Sequence, residues 1–347
     1  MSSRLRMSHD LALRTSSSMK TYVIEAHTAD PEALLRTLDA RVEATDDAFL
    51  YTARIDDGKF WIDQLDGRFW RFHTDMTNTE AFGPLKEWVS GRRDLDWMWL
   101  PSAHLRRMWD GARSRRIRAD FRGIGLVSPN TAAQDVRLGV RGADAEQLLD
   151  DLAGLPRYES AVTCEAVELE FSDPNFGYVR EGVDRRGRFA ASGDSFELHL
   201  TFVNRVVNRY RELVTLCEQK ALRWTGLDGE DSGATFTGGP ILIQFSREID
   251  DLDVFADELT SCREPFRLWG DVTTTRHGRE IAAVDLHVGQ PLQFDIGKDW
   301  MRIYLREGYC GNTVARLISN LQHRFDGALR LADPELERAV QGPLAAA

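Results

Sequence analysis

One element order recurs along this chain, and it constrains the fold more than any single motif does. A strand is followed by a helix, then by three or four antiparallel strands, then by a second helix. The stretch GRFWRFHT, residues 67–74, has the character of the last strand in such a unit. Phe69, Trp70 and Phe72 supply bulk, while Arg71 and His73 alternate with them. The same pattern predicts strands in DSFELHLT at 194–201 and DWMRIYLR at 299–306, each followed by helical periodicity.

The first pass covers 20–89. KTYVIEA is a strand by its β-branched and aromatic content. Asp30 then caps a helix with Pro31 at its first position and Leu34, Leu35, Leu38 and Val42 on one stripe. FLYTARI, KFWIDQL and RFWRFHT follow with DDG and DG turns between them, and TEAFGPLKEWV closes the unit. The second pass covers 135–222. It opens on DVRLGV, continues with a helix from Asp144 to Gly154, and ends on the stripe Val206, Val207, Tyr210, Leu213, Val214 and Cys217. The third pass covers 240–331, from ILIQFS to a last helix that buries Val314, Leu317, Ile318, Leu321 and Phe325.

The expected fold class is therefore α+β: two or three repeated modules, each a mainly antiparallel sheet with helices on one face. The expected boundaries are a disordered tail at 1–19, module one at 20–89 and a Trp/Arg-rich connector at 90–134. Module two follows at 135–222, a flexible linker at 223–239, module three at 240–331 and a C-terminal tail at 332–347. The element order of passes two and three resembles the saddle-shaped half of the TATA-binding-protein fold, a likeness of fold alone. That family's DNA-wedging phenylalanine pairs have no counterparts in place. The strand–helix–three-strand opening also resembles vicinal-oxygen-chelate modules. This resemblance implies a His and a Glu at fixed strand positions as metal ligands, and no such set is recognised.

Composition narrows the partners. The net charge of −11 argues against a general affinity for nucleic acid or anionic membrane, though not against a local basic patch. No apolar run is long enough to span a bilayer, so no membrane contact is expected. The four cysteines, Cys164, Cys217, Cys262 and Cys310, form no CxxC pair, which speaks against a disulfide framework or a zinc ribbon and for a cytoplasmic protein. The histidines form no HExxH or HxH pair, and neither a metal nor another cofactor is expected.

Two groups of residues stand out. If Trp70, Phe72, Phe196, Leu198, Met301 and Ile303 face the helices, the opposite sheet face carries Arg71 and His73, Glu197 and His199, Arg302 and Tyr304. These six would hold a partner, or would glue one module to the next. The second group is the only dense basic run: Arg106, Arg107, Arg113, Arg115, Arg116, Arg118 and Arg122, with Trp97, Trp99 and Trp109 nearby. Arginine beside aromatic rings can grip phosphates and stack bases. RSRRIRADF could equally be an edge strand guarded by charge. The acidic loop at 228–231 reads as a solvated linker, and Cys164 as a buried inert thiol.

With no catalytic signature in the chain, the expected function is a non-enzymatic binding or assembly protein. It would hold a protein or nucleic-acid partner on its sheet faces and Arg-rich connector, with homo-oligomerisation compatible with the same faces. The alternative is an enzyme or small-ligand sensor with its site between modules, near His73, His199 and Tyr304.

Overall fold

A computed structural model describes residues 2–12, 18–108, 112–226 and 234–342. Trp109 and the acidic loop at 228–231 lie outside the described residues. The N-terminal part contains α1 (Ser3–Asp10), β1 (Met19–Ala26), α2 (Pro31–Leu35), β2 (Arg41–Ala44), β3 (Leu50–Ile55), β4 (Gly58–Asp63), β5 (Phe69–Thr74) and α3 (Asn78–Ser90). The middle carries β6 (Leu95–Trp97), α4 (Ser102–Arg106), β7 (Arg113–Arg122), β8 (Asp135–Arg141), α5 (Ala145–Ala153), β9 (Cys164–Asp173), β10 (Gly177–Asp184), β11 (Arg188–Gly193) and α6 (Phe196–Gln219). The C-terminal part begins with β12 (Arg223–Gly226), β13 (Ala234–Thr237), β14 (Ile241–Gln244), α7 (Leu252–Leu259), β15 (Leu268–Thr275) and β16 (Gly278–Asp285). It ends with β17 (Pro291–Ile296), β18 (Trp300–Tyr304), α8 (Asn312–Arg324), β19 (Arg330–Leu331) and α9 (Pro334–Gln341).

The protein is a mixed α and β structure built on large antiparallel sheets. Eleven strands join in one sheet, in the order β2-β3-β4-β5-β1-β11-β10-β9-β7-β8, with β6 also paired to β1. The segments expected as modules one and two therefore share a single sheet, and the connector between them supplies two of its strands. A six-stranded sheet, β15-β16-β17-β18-β14-β19, forms the other half. Residues 19–90 and 241–324 share one connectivity: a strand, a helix, four antiparallel strands and a helix, with the first strand pairing the last of the four.

Several local expectations need correction. DSFELHLT is not a strand. Ser195 caps α6 by accepting from Leu198 N at 3.2 Å, and the helix starts at Phe196. The buried positions continue upstream as Phe202, Val203, Leu198 and His199, so the 3.6-residue period of the following helix overrides the apparent alternation. The expected disordered start includes α1, whose Met7 and the following Leu11 are buried. Part of the expected linker forms the β12–β13 hairpin, and the expected C-terminal tail contains α9, which buries Leu336 and Val340. Asp30 caps α2 as expected, but the helix ends at Leu35 and Val42, expected on its stripe, lies on β2; α3 starts on a capping box of Thr77 with Glu80. Among the described residues no helix is long and apolar enough to cross a membrane.

Helix α8 sits at the centre. Every residue from Asn312 to His323 is buried. The expected apolar stripe fills the core, but the other side is polar and satisfied by neighbours. Asn312 Nδ2 donates to Trp97 O at 3.2 Å, Ser319 Oγ to Leu100 O at 3.1 Å, and Gln322 Oε1 accepts from Ser102 N at 2.9 Å. Arg316, fully buried, bonds both Asp96 on β6 and Asp285 at the end of β16.

Removing one partner from such a triad leaves a buried charge uncompensated, so Arg316→Met should cost about 3–5 kcal/mol in a denaturant titration, while Arg302→Met on the exposed face should change little. A second outcome concerns acid. His104 and His323 are buried, and burial, joined by the charges of Arg209 and Arg185 respectively, pushes each pKa down to about 3 from 6.5. These rings stay neutral in the fold and take up a proton on unfolding. Across pH 6.5 to about 3 the unfolded chain then binds more protons, and stability falls as pH drops through that window. The urea midpoint should fall from pH 7 to pH 4, and His323→Gln should make that fall shallower.

Candidate metal centre

The two halves of the molecule meet at a cluster of four ligand-type side chains. Glu25 is the penultimate residue of β1, where it lies opposite Phe69 on β5 and Asp96 on β6. His27 follows two residues later, just past the strand, with its backbone N–H held by Asp94 O at 2.9 Å. His287 comes from the turn between β16 and β17, and Cys310 from the connection between β18 and α8. One ligand atom from each lies within 4.8 Å of every other. Glu25, His287 and Cys310 are buried, and the His27 side chain is 33% exposed.

The distances gather the four ligand atoms closely. His287 Nε2 is 3.2 Å from Glu25 Oε2, and His27 Nε2 is 3.3 Å from both Glu25 Oε1 and Cys310 Sγ. Cys310 Sγ lies 3.6 Å from each Glu25 oxygen. Metal–ligand bonds of about 2.0 Å to N or O and about 2.3 Å to S give tetrahedral edges of about 3.3–3.6 Å. Three of the four corners are therefore already at the spacing a zinc-type ion imposes.

The outer contacts fix the polarity of these atoms. His287 Nδ1 lies 2.9 Å from Leu95 O and must donate to it, which turns the Nε2 lone pair toward the carboxylate. Two acceptors 3.2 Å apart need a cation between them, either a further ring proton or a metal ion. Arg68 Nε holds Glu25 Oε1 at 2.6 Å, and the same guanidinium reaches Glu218 at 2.7 Å. Glu218 also accepts from Gly311 N at 2.9 Å, fixing the backbone next to Cys310. Burial raises the Glu25 carboxyl, but contacts with His27 and His287 and the Arg68 charge outweigh it and hold the group well below the usual range. Burial and then Glu25 push the Cys310 thiol well up, against the pull of Arg68. A bound cation would reverse that and make the sulfur a thiolate.

The residues singled out from the sequence are distributed differently. His73 and His199 do meet, but in the core. Both rings bond Thr21 Oγ1 at 2.7 Å, and His199 Nδ1 bonds Glu181 at 2.8 Å, with all four side chains buried. The expected open sheet face is closed there by α6. Arg71 is also buried, whereas Glu197 is exposed. Arg302 and Tyr304 lie apart on β18, Arg302 over the Trp300 ring and Tyr304 bonded to Asp295 at 2.8 Å. The basic run falls mostly on β7, which pairs with both β8 and β9 and so is no edge strand. Arg106 pairs with Asp150, Arg115 with Glu170, Arg118 with Glu165 at 3.9 Å and Arg122 with Asp120 at 3.2 Å, while Arg107 bonds Gln341 O. Among the described residues, Arg113 and Arg116 pair with no carboxylate.

The metal-type cluster was not found from sequence, because its members are separated by up to 285 residues. The one local signal is Glu25-x-His27, which places both side chains on the same side of a strand end.

Fold and site together define a mixed α/β protein with a closed Glu–His–His–Cys centre between two sheets. The chain belongs to the MJECL33-like protein family, whose profile matches residues 7–340 and so spans all four ligand positions. It is similar to the uncharacterized protein MJECL33 of Methanocaldococcus jannaschii, with 25% identity over 353 residues, covering 89% of this chain and 84% of that one. No solved structure matches.

Thiol chemistry gives a direct check on the burial at this centre. Cys262 is exposed, and the other three cysteines are buried. Ellman's reagent should titrate a single thiol in the native protein and none in Cys262→Ser, with the remaining thiols reacting only after denaturation.

Proposed function

We propose that the protein is a transition-metal-binding protein in which one zinc-type ion ties the eleven-stranded sheet to the six-stranded one. The observation that carries this reading is the convergence of Glu25, His27, His287 and Cys310 within 4.8 Å of one another, two ligands from each sheet's side of the junction. One sulfur, two imidazoles and one carboxylate suit zinc-like ions; magnesium and calcium want six or more oxygens. The charges also balance. A divalent ion with one thiolate and one carboxylate is neutral, and Arg68 beside Glu218 is neutral in turn.

Four protein ligands complete the shell and leave no position for a reactive water, which favours a structural ion over a catalytic one. The ion would work as a cross-link between residues far apart in sequence, in a protein whose task is to bind rather than to transform. The shared connectivity of residues 19–90 and 241–324 supports reading these parts as copies of one module, with the ion at the seam between them.

The test is metal content and its effect on stability. The full chain, purified without added metal and then titrated, should take up one equivalent of zinc or cobalt(II). The cobalt form should show thiolate-to-metal charge transfer that disappears in Cys310→Ser. His287→Ala should lower affinity by at least about tenfold, and chelation should lower the melting temperature. Failure to bind either ion tightly, or binding unchanged in both variants, would refute the assignment.

A further inference from the structure

Three cavities open side by side along strands β7 to β11 of the large sheet, one of them bordered by β1 and α3 and another by α8 and the segment after α7. The first, about 370 Å³, is lined by five arginines, among them Arg113, Arg116 and Arg180, against one carboxylate, Glu168. The second, about 420 Å³, shares Arg116 and Glu168 with it and adds Lys20, Arg118 and Arg188. The third, about 350 Å³, shares Arg188 with the second and adds Arg122, Arg185, Arg186 and Arg324 against the carboxylates Asp120, Glu165 and Glu264. The shared walls make the three one continuous trough. Basic residues outnumber acidic ones in each cavity, in a protein whose net charge is −11.

The floor differs along the trough. Both outer cavities are walled largely by charged groups. The middle one has a floor of the small residues Ala166, Gly182 and Ala190 with Tyr22 at its side, while Val167, Val183 and Phe189 turn into the core behind it. A flat apolar surface between two cationic basins fits a base flanked by its phosphates. Some of the arginines are held by carboxylates, as Arg188 is by Asp184 at 2.5 Å and Arg185 by Glu165 at 2.6 Å. Arg113, Arg116 and Arg186 pair with no carboxylate among the described residues. Arg186 instead lies over the Trp99 ring, 5.3 Å from its centroid. Unpaired guanidiniums gathered by neighbours of the same sign are what a chain of phosphates neutralises.

We infer that this trough binds single-stranded nucleic acid, with phosphates in the two outer cavities and a base on the floor of the middle one. The metal centre plays no part in this site, so the two readings stand or fall separately. Fluorescence anisotropy with a labelled oligonucleotide of about 12 nucleotides, as DNA and as RNA, tests it on the full chain. Binding should appear at low salt and weaken with a log–log slope of about −2 to −3, the value for three or four phosphate contacts. Arg116→Glu should weaken it at least tenfold, and adding Arg186→Ala should weaken it further, with the far-ultraviolet spectrum and melting temperature unchanged. Arg302→Glu, on the other sheet, should leave affinity within twofold. Absence of binding at low salt, or equal affinity of Arg116→Glu and the parent, overturns the proposal. So does tighter binding to a duplex of the same length, or displacement of the oligonucleotide by inorganic polyphosphate at equal charge concentration, since neither competitor offers a free base.

Discussion

The structure depends on Arg316. Its guanidinium lies wholly inside the protein between Asp96 of the large sheet and Asp285 of the small one, with its Nε donating to Phe266 O at 3.1 Å. Apolar packing holds the two halves together but is non-directional and would tolerate sliding. A buried ion triad tolerates very little, because each charge taken from water costs several kcal/mol unless its partner sits in place. The surrounding groups make the geometry stricter. Asp96 also accepts from Trp97 N at 2.8 Å and Trp99 Nε1 at 3.0 Å, and Asp285 is bonded by Thr313. Burial opposes the charge on Arg316, and the two carboxylates more than restore it, so the pair of sheets is locked by a cation that cannot leave.

The metal-type cluster hangs from this same lock. Glu25 is the cross-strand neighbour of Asp96, and His287 lies two residues beyond Asp285, which holds the His287 backbone N–H at 3.0 Å. Leu95 O, next to Asp96, orients the His287 ring. It also accepts from Arg267 at 3.3 Å. The position of Arg316 thus sets the distance between the carboxylate of one sheet and the imidazole of the other. A metal ion at the four ligands would add a second tie beside the first. The first tie is made by the chain alone, and the second would depend on metal supply.

Much of the architecture is legible in the residues themselves. Asp30 before Pro31 and the stripe from Val314 to Phe325 each announce their helices, because capping and apolar period are local properties. The failures share a cause. In 194–201 a five-residue alternation competes with a helical period that becomes visible only when Leu198, Phe202 and Val206 are read together, and the longer pattern wins. The pairing of β7 between β8 and β9 is a long-range choice that its alternation does not encode. His73 and His199 hold equivalent places in the sequence pattern, which predicts an open face for both. They come together instead through Thr21, which bonds both, beneath α6. The cluster was illegible for a plainer reason. Its four ligands come from three distant places in the chain, and only the docking of the small sheet on the large one gathers them.

X-ray absorption at the zinc edge on the full chain tests the central claim most directly, since it reads the ligand shell without any substitution. The account predicts one sulfur at about 2.3 Å and three nitrogen or oxygen neighbours at about 2.0–2.1 Å, in a four-coordinate site. A first shell without sulfur, or one of six oxygen neighbours, would contradict it and place any bound metal somewhere other than between Glu25, His27, His287 and Cys310.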